Sequence, residues 1–433
     1  MQTAALLLAL VLGPLDRGLA FQDRAAYPPD EQRFIYYAST EHLPTAEERR
    51  KAGIALTLAV AQASPQDIAE HCAPVPVSPT LYRLDLRLLR IEESTWRELV
   101  NRDPHKLAAT PLVSPADWLT VQISDAQANP TAYYKIVFGG QIPPDRDTAL
   151  ALLGVDPDPS RRIGLVAGQS TVSVQGVRWL EQRSLFRGSV WGTRDTLQLV
   201  AHRDPVENLE GDFPHDGEEW IAHRWKTHIG SGFQGTLPVY LLYNGQGLPV
   251  NRAPVDLVRD HTEFRGLSEI RTPGSCIQCH RNGYNLPAEN QLRTQIAAGI
   301  ERYATLEERL KIERFHLADV SKELTRANDD FGKMVELITG VSAPEAAGCF
   351  HDTVARYDEP VSLDRAAAEL FVDADRLRMQ IAQESTAGGS LTARIAGLAH
   401  DQTISREAFE EAWLALWTIT QKWRPHADLQ KPR

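Results

Sequence analysis

Between Gly274 and Gly283 the chain reads GSCIQCHRNG. Two thiols stand three residues apart, and a histidine follows the second. Three chemistries use cysteines at this spacing. A Cys-x-x-Cys-His run is the sequence form of a c-type haem attachment. There Cys276 and Cys279 add to the two vinyl groups as thioethers, and a turn of helix brings both sulfurs to one side of the ring. His280 then offers its imidazole to the iron as proximal ligand. A structural zinc site needs four ligands, usually a second pair. A redox dithiol sits at a helix start behind a strand of a βαβ unit. The other two cysteines, Cys72 and Cys349, are single and distant, and the lead-in SEIRTPG contains no βαβ unit. The expected cofactor is therefore one covalent haem c per chain. Cys72 and Cys349 are left to pair in an oxidising compartment or to remain buried thiols.

The motif says nothing about the other side of the iron. A haem with two protein ligands passes electrons, whereas one with an open position binds or activates small molecules. Met334 and Met379 are the only methionines beyond Met1, and both occupy helical apolar positions that suit core packing. His215, His223, His228 and His261 precede the motif and are candidate distal ligands. Arg183, Arg187, Trp191, His215 and Glu218 are candidates to line a pocket. GEEW and EEAW contain adjacent acids, but neighbours do not share a helix face, so no catalytic carboxylate pair is read there. No nucleophile elbow, phosphate loop or zinc-protease motif is present.

The surrounding chain must position this site. Its 433 residues suit two or three domains, and 42% hydrophobic with 24% charged residues is ordinary for a buried core. A net charge of −11 argues against nucleic acid and anionic membranes as partners and suits a basic redox protein. The apolar run AALLLALVLG is too short to span a bilayer. It leads to Gly18 and Ala20, small residues that fit a signal-peptidase site. The expectation is an exported, periplasmic chain beginning near Phe21. No later window approaches the ~18 apolar residues of a membrane span.

LPTAEERRKAGIALTLAVAQ reads as a helix capped by Thr45, with acids in its first turn. TLYRLDLRLL, GLVAGQSTVSVQG and DTLQLVAHR read as strands, and DRDTALALLGVD as a helix. TLPVYLLYNGQGLPV reads as a strand, an Asn-Gly turn and a short second strand. From about residue 287 the chain reads as helical, ending in SREAFEEAWLALWTITQKW with Ser405 as cap. The expected class is α+β. Its segments are 1–20 (signal peptide), 21–235 (mixed α/β), 236–300 (hairpin and haem attachment) and 301–433 (helical).

TLPVYLLYNGQGLPVNRAPVDLVRD, followed by TPGSCIQCHRNGYNLPAENQLR, resembles a family of large exported bacterial cytochrome c-like proteins with a single CxxCH motif. Leu237, Pro238, Tyr240, Asn251, Arg252, Pro254, Val258 and Asp260 fall in places comparable to that family's hairpin and following segment. RFIYYASTEHL, SPADWLTVQ, RWLEQRSLFRGSVWGTRD and EPVSLDRAAAELFVDADRLRMQI are similar to its order of segments. This chain departs in HIGSGFQG, a longer approach to the hairpin, and in TPGS before the motif. The resemblance implies covalent haem, export and a shared whole-chain fold. It supplies no substrate. FPHDGEEW is similar to the family's stretch ahead of the hairpin, which makes His215 the first choice of distal iron ligand. Electron transfer is the leading expectation. A haem enzyme or sensor with an open iron position, and a partner-binding protein stapled by haem, are the alternatives.

Overall fold

Local chemistry sets most helix starts. Thr45 Oγ1 accepts from the Glu48 backbone N–H at 3.1 Å, and the Glu48 carboxylate accepts from the Thr45 N–H at 3.0 Å. This reciprocal capping box opens the helix Ala46–Ala63. Ser405 accepts from the Ala408 N–H at 3.2 Å and opens Arg406–Lys422. The alternation in TLYRLDLRLL lasts only through Leu81–Asp85. Asp85 then accepts from the Arg87 N–H and turns the chain into a short helix.

These elements come from a computed structural model that describes residues 15–106, 113–125, 128–129, 131–155, 162–185, 188–200, 214–285, 298–302, 305–310, 321–386 and 390–422. The helices are α1 (Leu15–Ala25), α2 (Ala46–Ala63), α3 (Leu86–Leu89), α4 (Glu93–Asn101), α5 (Ala116–Ser124), α6 (Ala132–Val137), α7 (Arg146–Leu152), α8 (Gly274–Cys279), α9 (Ser321–Thr339), α10 (Ala343–Asp358), α11 (Leu363–Glu369), α12 (Ala374–Thr386), α13 (Ser390–Ala399) and α14 (Arg406–Lys422). The strands are β1 (Ile35–Ser39), β2 (Val75–Pro76), β3 (Leu81–Asp85), β4 (Val113–Pro115), β5 (Arg162–Gln169), β6 (Val177–Leu185), β7 (Gly188–Asp195), β8 (Gly217–Thr227), β9 (Gln234–Asn244), β10 (Arg252–Ala253) and β11 (Ile270–Arg271).

The class is α+β. β1–β4 form a sheet in the order β2-β3-β1-β4, in which only β1 and β4 run parallel. β5 to β9 form an antiparallel meander in chain order. β10 and β11 make a two-stranded ribbon next to the motif. One hydrophobic core runs from Tyr36 to Tyr357 and includes Trp96, Trp118, Trp220, Tyr240, Cys276 and Phe350. A second, from Val361 to Trp417, belongs to α11–α14. α9 and α10 thus pack with the sheet and the motif, and the separate helical core begins after them.

Three local expectations change. The Asn-Gly turn does follow β9, but its return leg makes a single bridge, Pro249 to Tyr243. The partner of β9 is β8, in an eleven-residue ladder from Gly217↔Asn244 to Thr227↔Gln234. That meander crosses residue 235, so β9, expected to open the haem-attachment segment, belongs to the preceding sheet. Of GLVAGQSTVSVQG only the first six residues are strand, because Ser170 Oγ bonds the N–H groups of Val172 and Ser173 and forms a turn. DTLQLVAHR contributes only Asp195 to a strand; its last three residues, and the chain over 286–297, lie outside the described residues.

The helix α1 runs through the expected cleavage point. Asp16 is buried and accepts from Ser39 Oγ at 2.6 Å and Thr80 Oγ1 at 2.8 Å. Arg17 stacks over Trp417 of α14 at 5.2 Å. Among the described residues no helix is long and apolar enough to cross a membrane.

Candidate haem-attachment site

The motif is delivered by the ribbon. Ser275 Oγ accepts from the Arg271 N–H at 3.0 Å, which ties the start of α8 to β11. Gln278 Nε2 donates to the Ala347 carbonyl at 2.9 Å and fixes the same short helix to α10. Phe264 stacks on Phe350 with centroids 6.0 Å apart, an arrangement worth about 0.5–1.5 kcal/mol beyond its area. A Cβ on Gly274 would stand 2.2 Å from the Phe264 ring, so the first residue of α8 has room only for glycine. Arg265 completes the mount, bonding Asp358 of α10 at 2.5 and 2.6 Å and also Asp125.

α8 brings Cys276, Cys279 and His280 to one wall of a cavity of about 360 Å³, within the roughly 300–1,000 Å³ typical of small-molecule and cofactor pockets. The sheet supplies the facing wall. Side chains alternate along a strand, and the cavity receives Arg178 and Leu180 from β6, Trp191 and Thr193 from β7, and Glu219 and Ile221 from β8. Leu180, Thr193 and Glu219 lie on one rung. Ile270, Tyr284 and Leu324 close the sides. Most of the wall's surface is thus apolar, though Ser170, Thr171 and Asn285 also line it beside the charged groups. The indole Nε1 of Trp191 is buried without a hydrogen-bond partner.

His280 is held in a defined way. Its Nδ1 stands 3.1 Å from the Gly283 carbonyl. Donation there places the ring proton on Nδ1 and leaves the Nε2 lone pair for a metal. Gly283 has φ +91°, and a Cβ on it would lie 2.3 Å from Asn328 Oδ1. Asn328 bonds the Tyr284 N–H at 2.6 Å and its carbonyl at 2.8 Å, so α9 fixes the turn that fixes the imidazole. Tyr240 lies against the ring at 5.8 Å.

Burial pushes the Cys276 thiol well above its ordinary range, and the Glu219 carboxylate adds to it. Burial and then Asp260 push Cys279 up to about 12. Redox dithiols need the opposite, a lowered thiol pKa. Burial also lowers His280, which favours the neutral ring an iron ligand requires. Among the described residues no group of three or more His, Cys, Asp or Glu side chains is arranged to hold a metal ion on its own.

The histidines expected near the iron take other positions. His215 is not among the cavity residues; its Nε2 bonds the Glu218 carboxylate. Glu218 also accepts from Arg146 at 2.6 Å and Trp220 Nε1 at 2.7 Å. By strand alternation Glu218 and Arg183 point to the opposite face of the sheet from Glu219. Trp191 does line the cavity, and Arg187 lies outside the described residues. His223 stacks on Tyr284 at 4.1 Å, and its Nδ1 bonds Thr236. His228 bonds Ser231 in a surface turn, and His261 bonds the Thr171 carbonyl. Met334 is in the core, and Met379 is 60% exposed. All four cysteines are free thiols, so Cys72 and Cys349 are unpaired.

Compared with known proteins, the chain matches no family, no curated protein and no solved structure.

Sequence reasoning missed Glu219 and Arg178. The signal was present in GEEW. Read as a helix, its acids diverge uselessly; read as a strand, they face opposite sides and the second enters the cavity.

Proposed function

We propose that this chain is an exported, single-haem c-type cytochrome-like protein that transfers electrons to or from a partner protein. The supporting observation is the pairing of His280 with the Gly283 carbonyl, which turns Nε2 toward a largely apolar cavity flanked by two neutral thiols. Cys276 and Cys279 would hold the group covalently, and His280 would bind its iron. When bound, haem supplies a one-electron couple. The chain's own residues do the rest. Leu180, Trp191, Ile221, Ile270 and Leu324 would exclude water from the bound group. The Gly283 carbonyl keeps the proton on Nδ1. A net charge of −11 attracts a basic partner and raises its association rate.

A second reading, small-molecule binding at the iron, is favoured by one observation. Among the described cavity residues there is no methionine and no histidine besides His280.

Expression in a host with cytochrome c maturation machinery tests the proposal. The wild type is expected to carry a covalent haem stain, lost completely in Cys276→Ser/Cys279→Ser. An unstained wild type, or a double variant that stains equally, overturns it. A reduced spectrum indifferent to CO supports electron transfer; ready CO binding supports the second reading.

A further inference from the structure

We propose that the Glu219 carboxylate is the protein's second axial ligand to the iron, an anionic oxygen donor opposite His280. The inference rests on the covalent-haem reading. Glu219 Oε1 stands 3.9 Å from His280 Nε2. Bonds from nitrogen or carboxylate oxygen to a transition metal such as zinc are about 2.0–2.2 Å. Two such donors on opposite sides of one metal are separated by about that observed distance.

The carboxylate is built into place. It is buried near the start of β8, on the rung shared with Thr193 and Leu180. Arg178 Nη1 lies 3.7 Å from it. Arg178 is itself anchored on Asp195 at 2.5 and 3.2 Å. A buried carboxylate is costly unless paired, and Arg178 supplies the pairing whether or not a metal is bound. Two other oxygen-bearing side chains of the wall are engaged. Tyr284 donates to the Ile221 carbonyl at 3.4 Å, and Ser275 holds the Arg271 N–H.

The donor type has a consequence. A carboxylate is hard and anionic, so it stabilises ferric over ferrous iron compared with histidine or methionine. The iron is therefore held oxidised by Glu219 and loses that ligand more readily when reduced. Electron uptake then opens the position, so CO binding by the reduced form is expected, which joins this ligand to the second reading above.

Glu219→Gln keeps the side chain's size and removes its charge. It is expected to retain covalent haem. Its ferric form should bind added imidazole at least tenfold more tightly than the wild type. Its ferric preference should fall at least tenfold, a rise in midpoint potential of about 59 mV for one electron. Covalent haem with unchanged spectrum, imidazole affinity and potential overturns the ligand and leaves the haem reading intact. A wild type without covalent haem overturns both. If the variant does not fold, near-infrared magnetic circular dichroism of the ferric wild type decides. A histidine–carboxylate signature supports the proposal; a bis-histidine or histidine–methionine signature overturns it.

Discussion

The cavity beside His280 and the cluster beside His105 hold the same kinds of side chain. Each has a histidine, at least one buried carboxylate and an arginine. At the junction of α1, β1 and the C-terminal helices, His42 faces Asp117 at 3.1 Å. His105 bonds Asp103 at 2.9 Å and lies 3.6 Å from Glu369. Arg406 grips Glu369 through two 2.8 Å bonds. The space there is about 30 Å³, room for a water or two. The His280 cavity is about 360 Å³, and its charges line the space without filling it. Residue type does not separate a structural cluster from a candidate cofactor site; the room left between the groups does.

That contrast is breakable. Glu369→Leu leaves Arg406 and His105 without their shared carboxylate. Removing one partner of a buried ion pair costs about 3–5 kcal/mol. The urea midpoint should fall accordingly at unchanged m, while haem content and spectrum per folded chain stay the same. A spectral change at unaltered stability would assign the junction a role in the site and dissolve the distinction.

A smaller effect is set by pH. Burial works against charge on His105, yet the bond to Asp103 and the neighbouring Glu369 carboxylate more than offset it and hold the ring up to about 9. The unfolded ring titrates near 6.5. Its contribution is therefore complete below about pH 6.5 and is lost as pH rises through about 9. Denaturant titrations from pH 6 to 10 should show this fall in the wild type and a flatter curve in His105→Gln. Parallel curves would count against it.

The smallest expected change sharpens the other half. Trp191→Phe removes an indole N–H that has no partner and keeps an aromatic wall. Stability should fall by less than in Glu369→Leu, because only part of one ring is removed, while the potential of the haem form shifts. A loss on the scale of Glu369→Leu would make Trp191 a structural residue like those of the junction.

Much of this was legible in the sequence, and the gaps share a cause. Thr45, Ser405 and the CxxCH run are local signals: each needs only its neighbours to act. β8 is different. GEEWIAHRWKT shows no apolar alternation because both of its faces are buried, and its acids and bases are satisfied by other elements. Lys226 is wholly buried and donates to the Ser64 carbonyl at 3.0 Å and to the Gln66 carbonyl. A strand with polar residues such as Lys226 and Arg224 that find distant partners looks like a loop from within its own window. Choosing Glu218 and His215 over Glu219 followed from that: without the strand, there was no face to assign.

The burial of α1 has a consequence in time. Asp16 and Arg17 bind the first sheet and the last helix, and Ala20 is wholly buried against the first sheet. For an exported chain, folding and leader removal compete for the same eleven residues. A chain kept unfolded until it crosses the membrane presents the bond after Ala20 to a peptidase. A chain that folds first hides it and keeps the clasp. The N-terminal residue of the purified protein is then a record of which came first.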